Sequence, residues 1–223
     1  MVIDSYSTDA TLEIIAKHPQ VEVFQREFDH FANQCNYGLQ QVETPWVLSL
    51  DADYMVSGAL VDEICCLPPE PAVDGYSVSF VYCVFGEPLR GTLYPPRTVL
   101  YQKEEATYRR DGHAHRVEIS GTTEDLSAPI YHDDRKPLRR WLGAQEQYVQ
   151  AELKKYRSTP RSELSWTDWL RRTKWAPLLM FFYCLVGKGL LLDGKAGWYY
   201  ALQRTYAELL LILKRLDQDL RSD

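Results

Sequence analysis

Two aspartates one residue apart, Asp51 and Asp53, follow a short apolar run, Trp46-Val47-Leu48-Ser49-Leu50. Two carboxylates at this spacing can hold a hard divalent cation, and such a cation can neutralise a diphosphate. An apolar run of this length predicts a buried strand of a parallel sheet. Groups at the carboxyl end of such a strand lie where open α/β sheets bind ligands. A strand followed by an acidic, helix-capping turn has the same local pattern, so the other chemistry-bearing residues must decide. Asp4 stands at the end of another short apolar stretch, Met1-Val2-Ile3. Three of the five histidines, His113, His115 and His132, fall within twenty residues, and Tyr108 to Glu118 is dense in titratable groups.

The elements that would position these groups follow from periodicity. After Asp4, the stretch Ser5 to Asp9 is rich in N-cap residues, and Leu12, Ile15 and Ala16 recur at helical spacing until Pro19. Val21 to Phe24 alternates as a strand, Phe31 to Val42 reads as a helix, and Trp46 to Leu50 is the next strand. A helix from about Ser57 to Cys66 stops at Pro68-Pro69. Strand-helix repeats with short connections predict a right-handed parallel α/β sheet. A sheet that opens on a strand-turn-helix unit is expected to lack a neighbour, so the chain reads as N-terminally short. From Gly75 the pattern changes: Tyr76 to Phe85 reads as one long strand and Thr98 to Tyr101 as another, mixed or antiparallel. Lys136 to Lys155 and about Trp198 to Leu216 are predicted as helices.

Charge divides the 223 residues. Residues 1–134 hold 8 Lys/Arg against 22 Asp/Glu, whereas residues 135–223 hold 17 against 9. The expected organisation is therefore an acidic substrate domain over 1–134 and a basic, aromatic helical region over 135–223. The second region contains Trp166, Trp169 and an 18-residue apolar run, Trp175 to Leu192, broken by Pro177, Gly187, Lys188 and Gly189. Those breaks predict an interfacial or re-entrant segment on anionic lipid rather than a clean span, although a buried helical hairpin has the same composition. No nucleic-acid recognition motif or stacking platform occurs, so nucleic acid is not expected as a partner. Five cysteines without a C-x-x-C pair fit a reducing compartment and exclude a disulfide framework.

The order Val2-Ile3-Asp4-Ser5-Tyr6-Ser7-Thr8-Asp9, then Asn36, then Leu48-Ser49-Leu50-Asp51-Ala52-Asp53 resembles family 2 glycosyltransferases of the GT-A fold. Asp111 to Val117, His132 to Leu138 with Trp141-Leu142, and Leu191 to Gly197 with Tyr199 to Arg204 are similar to a bacterial branch of that family. That branch comprises lipopolysaccharide-core and cell-envelope sugar transferases. The resemblance implies a Rossmann-like mixed sheet flanked by helices, with a C-terminal helical membrane-associating region. It implies a nucleotide-sugar donor, a lipid-linked or envelope glycan acceptor, Mg²⁺ or Mn²⁺ as cofactor, and work at the cytoplasmic face of the bacterial inner membrane as a peripheral or monotopic protein. Residue by residue, Asp4 would contact the base or ribose, with Asn36 also on the donor. Asp51 would lie near the ribose, the diphosphate and the metal, Asp53 would coordinate the metal, and Arg97 or Arg116 would face phosphate. Asp111 and His115, ahead of Glu118, are the candidates for the base of an inverting transfer. The chain departs from the family pattern in having His115-Arg116 where related branches have His-Glu, and in having no T-Y-N-E strand end before Met1. A catalytically incomplete membrane-docked binding module is the alternative. A nucleotidyltransferase would carry a glycine-rich basic phosphate loop, and none is found near a strand end.

Overall fold

Val2 and Ile3 are β-branched and pair with a second apolar stretch beyond Pro19, so the chain begins with a strand, a short helix and a parallel strand. In the computed structural model, residues 1–111, 114–158, 160 and 165–222 are described, without the side chains of residues 110, 111, 114, 115, 155, 157, 158 and 222. The elements in order are β1 (Val2–Asp4), α1 (Thr11–Ile15), β2 (Val23–Gln25), α2 (Phe31–Gln41), β3 (Trp46–Leu48), β4 (Tyr54–Val56) and α3 (Gly58–Cys65). Then come β5 (Gly75–Val78), β6 (Phe80–Val84), β7 (Glu87–Pro88), β8 (Arg97–Gln102), β9 (Ala106–Asp111), β10 (Ala114–Ile119), β11 (Thr123–Asp125) and β12 (Ile130–Asp133). The helices α4 (Leu138–Ser158), α5 (Trp166–Arg171), α6 (Ala176–Phe182) and α7 (Gly194–Ser222) close the chain. The fold is mixed α/β, as the sequence predicts.

The chain divides into two units, the first made of residues 1–49, 68–77 and 98–125, the second of the remainder. In the first, β1 runs parallel to β2, with Val2 opposite Val23 and Asp4 opposite Gln25. A four-stranded sheet has the order β11-β5-β8-β3. β9 and β10 form an antiparallel hairpin. Ala32 and Leu39 of α2 pack on Tyr101 and Tyr108, which anchors the helix to this unit's core. The apolar run before Asp51 is a strand, but not the buried parallel strand expected. β3 is the outer strand of its sheet and pairs antiparallel with β8, Val47 facing Tyr101. With one bonded neighbour among the described residues, its end stays open: Leu48 is 40% exposed and Leu50 39%.

In the second unit the sheet order is β4-β12-β6-β7. β12 lies between β4, antiparallel, and β6, parallel, so that His132 is flanked in one row by Tyr54 and Tyr82. The run expected as one strand from Tyr76 to Phe85 breaks at Ser79, and its halves, β5 and β6, hydrogen-bond in different sheets. Val149, Leu153 and Tyr156 of α4 pack on Leu211 of α7. A second cluster joins Tyr82, Val84 and Leu89 to Cys184, Leu185, Leu190, Tyr200 and Ala201. After α6 the helix widens into a π turn, Tyr183–Gly187, and Gly189 at φ 72° redirects the chain. There the left-handed conformation favours glycine.

Candidate active site

Asp53 immediately precedes β4, and the cross-strand pairing of Tyr54 with His132 brings a histidine far along the chain to its side. His132 Nε2 donates to Asp53 Oδ2 at 3.2 Å, and Lys136 Nζ lies 3.6 Å from the same oxygen. Lys136 also meets Asp134 Oδ1 at 3.2 Å. The His132 bond holds the Asp53 carboxyl below its ordinary range, against the opposing effect of burial. Burial works against the Lys136 ammonium, but the Asp134 and Asp53 carboxylates outweigh it and raise its pKa. The site is thus a carboxylate between two nitrogen groups.

Aromatic rings fix the histidine. Its ring centroid lies 5.3 Å from Tyr54, 5.0 Å from Tyr82 and 4.9 Å from Tyr94, edge to face each time. Only 8% of His132 is exposed, and its Nδ1 is buried without a hydrogen-bond partner among the described residues. The Tyr82 hydroxyl donates to Asp134 Oδ2 at 3.1 Å. The Tyr54 and Tyr94 hydroxyls share a hydrogen bond of 2.5 Å. Burial pushes all three phenols up, so they act as neutral hydroxyls. The Asp51 charge adds to this effect at Tyr54 and Tyr94, and the Arg97 guanidinium sits 4.7 Å over the Tyr94 ring. Asp51, Asp53 and Arg97 therefore belong to one neighbourhood, together with His132 and Lys136. The sequence marks His132 only as one of three clustered histidines, without a specific role, and Lys136 only as the start of a helix. The dense polar run His132-Asp133-Asp134-Arg135-Lys136 directly after a strand was the signal for them.

The other predicted residues lie in the first unit. Asp4 is buried at the end of β1, where its carboxylate accepts from the Ser7 backbone at 3.1 Å, the Ser7 hydroxyl at 2.5 Å and Gln25 Nε2 at 3.0 Å. The Ser7 and Gln25 bonds hold its pKa down. The Asn36 amide is engaged at both ends by one residue of β9: Nδ2 donates to the Tyr108 carbonyl and Oδ1 accepts the Tyr108 N–H, each at 2.9 Å. It ties α2 to the hairpin. Asp111 and His115 occupy paired positions on that hairpin, Asp111 opposite Ala114 and His115 opposite Arg110, but their side chains lie outside the described residues. Glu118 is bridged to Arg109 at 2.9 Å, and Arg116 is exposed.

Among the described residues, no three His, Cys, Asp or Glu side chains converge as a metal-holding group. The ionised Asp53 carboxylate, oriented by the imidazole, instead fits a cation held mainly by the oxygens of a diphosphate. That is the usual situation for Mg²⁺, whose ligands are oxygens.

A mixed α/β fold with carboxylates just beyond a strand end is the arrangement in which α/β proteins bind ligands. Residues 1–111 match the model of glycosyl transferase family 2, and the chain belongs to that family. It is a glycosyltransferase. No curated protein matches it in sequence. Among solved structures it is similar to residues 1–349 of S. aureus TarS in complex with UDP, at 14% identity and a TM-score of 0.46, over 97% of this chain and 81% of that one. The same protein in complex with UDP-GlcNAc aligns at 13% identity, a TM-score of 0.46, and 97% and 82% coverage.

Proposed function

We propose that the protein transfers a sugar from a nucleotide-diphosphate-sugar donor to a hydroxyl of a lipid-linked or cell-envelope saccharide, with inversion at the anomeric carbon. The observation that carries this reading is the ionised Asp53, the second carboxylate of the D-x-D turn in a family 2 segment, held by His132 and Lys136. Asp53, oriented by His132 and with Asp51 beside it, would hold Mg²⁺ or Mn²⁺, which when bound supplies charge neutralisation for the departing nucleoside diphosphate. Lys136 and Arg97 add fixed positive charge on the same side of the leaving group. Asp4 lies at the end of β1, where a donor base or ribose would be met. In the transfer, the acceptor oxygen bonds to the anomeric carbon as the bond from that carbon to the diphosphate oxygen breaks. The acceptor proton passes to a base on the β9–β10 hairpin, Asp111 or His115. A lipid-linked acceptor places the reaction at the cytoplasmic face of the inner membrane, against its anionic surface.

The test is turnover of a panel of UDP-, GDP- and dTDP-sugars with and without Mg²⁺ or Mn²⁺, comparing wild type with Asp53→Ala. The expected result is metal-dependent turnover that falls at least about a hundredfold in the variant. Equal turnover in the two proteins would overturn the role given to Asp53.

A further inference from the structure

The second unit carries an apolar surface that its own core leaves uncovered. α5 has six residues, too few to hold itself as a helix. It is fixed by a capping box between Ser165 and Asp168, and by Arg171, which reaches Glu152 of α4 at 2.7 Å and Glu208 of α7 at 2.8 Å. This anchored helix presents its two tryptophans to solvent, Trp166 at 73% exposure and Trp169 at 66%. Trp175 follows at 68%, and α6 with its π turn continues outward as Leu178, Leu179, Phe182 and Val186. These residues recur at three- and four-residue spacing, on the side opposite Ala176, Cys184 and Leu185, which are buried. An exposed apolar face of this extent on a soluble unit marks an interaction surface.

Charge points to the occupant. From Trp166 to Leu192, apart from Arg171, whose charge is spent on Glu152 and Glu208, the cations are Arg172, Lys174 and Lys188, and the only carboxylate is Asp168, which caps its own helix. The next carboxylate, Asp193, is neutralised by Arg90, whose N–H and Nε both donate to it at 2.9 Å. Lys188 Nζ lies 5.7 Å over the Tyr183 ring. Tryptophans with interspersed cations and no uncompensated acid match the headgroup layer of an anionic leaflet.

The packing also determines how the segment meets the lipid. The inner face of α6 and its π turn is committed to the cluster with Tyr82, Val84 and Leu89. Among the described residues no single helix is long and apolar enough to cross a membrane; α6 with its π turn and the helix after Leu190 pass that test only as a pair bent by 75°. The bend is built in. A Cβ on Gly197 would lie 1.9 Å from the Leu190 carbonyl oxygen, so only glycine lets α7 leave the turn at this angle. A segment buried on one face and bent this sharply lies in the plane of the interface.

We infer that α5 and α6 form a monotopic docking face for an anionic bilayer surface, inserted through Trp166, Trp169, Trp175, Phe182 and Val186. This deepens the membrane reading above and rests on it. It does not require transfer to occur, so a binding test and a turnover test fail separately.

The experiment is flotation of the full chain with phosphatidylcholine vesicles, with and without phosphatidylglycerol. It compares wild type with the double variant Trp166→Ser, Trp169→Ser and with Lys174→Glu, each checked by circular dichroism melting. Wild type is expected to float with the phosphatidylglycerol vesicles, and its tryptophan emission to be quenched by brominated acyl chains. The double variant is expected to bind at least about tenfold less at fixed lipid, because each tryptophan removes a large buried apolar side chain. Lys174→Glu is expected to weaken binding to the anionic vesicles selectively. Failure of wild type to float, or equal flotation of the double variant with an unchanged melt, would overturn the inference. So would a wild-type dimer in sedimentation without lipid that the double variant abolishes, since a second copy would then be the occupant.

Discussion

Replacing Arg171 by methionine removes one cation from two carboxylates. Glu208 Oε1 and Glu152 Oε1 accept from its Nε and Nη1, and the Glu208 and Glu152 side chains are only 6% and 16% exposed. Removing one partner of a buried ion pair costs about 3–5 kcal/mol, because the remaining charge is left uncompensated. Two features reduce that figure here. The Arg171 side chain is 35% exposed, so water can enter where it stood. Burial already raises the Glu208 pKa above its ordinary value, with Arg171 opposing, so the carboxyl can take a proton rather than remain as a bare charge. The expected loss is about 2–3 kcal/mol at neutral pH, or a melting temperature lower by about 4–12 °C. Glu208→Gln is expected to behave differently. Its second oxygen, Oε2, is buried without a hydrogen-bond partner among the described residues, and Arg171 keeps Glu152. That variant should change stability by less than about 1 kcal/mol.

The pH dependence separates this reasoning from a simple packing defect. In Arg171→Met the folded-state pKa of Glu208 rises further, so the folded state binds more protons than the unfolded state above the unfolded value of 4.5. Stability contributed by a raised carboxyl pKa is present below the unfolded value and is lost as pH rises through the folded one. The gap between wild type and Arg171→Met should therefore narrow as pH falls from 7 toward 4.5. The assay is urea unfolding followed by helical circular dichroism across that range. A gap independent of pH, or a Glu208→Gln loss as large as that of Arg171→Met, would refute the account.

Two structural substitutions follow from the same style of reasoning. Asn36→Ala should lower the urea midpoint by the equivalent of about 2–3 kcal/mol, because both backbone groups of the buried Tyr108 lose their partner; an unchanged midpoint would show that water replaces the amide. Gly197→Ala should destabilise by about 3 kcal/mol or more and speed hydrogen exchange in Leu190–Asp193, because the added methyl meets the Leu190 carbonyl; native-like exchange there would show that the bend can relax.

Helices and strand existence were legible in the sequence because they rest on local rules. Phe31 to Val42 was read from its periodicity, and α2 ends one residue earlier, at Gln41. Partner and direction were not legible. The apolar run Trp46 to Leu50 predicts a strand, but nothing in it encodes that β8 would pair with it antiparallel, nor that one edge would stay open. The break at Ser79 is similar, since alternation continues through it while the hydrogen-bond partners change sheet. In the site, Asp51 and Asp53 stood out because two charges after an apolar run are conspicuous. The position of His132 beside Asp53 depends on strand pairing between residues 79 apart. Asn36 looked like a ligand-binding amide, and its engagement with Tyr108 depends on a contact 72 residues away.

Tyr82 links the two halves of the functional proposal within the second unit. Its ring packs edge-on against His132 at 5.0 Å and against Tyr200 of α7 at 5.1 Å, and its hydroxyl reaches Asp134, the partner of Lys136. It is also a member of the buried cluster that carries Leu185 and Leu190 around the bend after α6. One buried side chain therefore touches the histidine beside Asp53 and the helices whose outer face carries Trp175, Phe182 and Val186. Close-packed interiors transmit displacement because they have few voids to absorb it. A rigid connection of this kind requires no moving part. On the proposed docking it would hold the carboxylate site in a fixed relation to that face, and an acceptor anchored in the same leaflet would meet Asp53 and its neighbours at a defined height above the lipid.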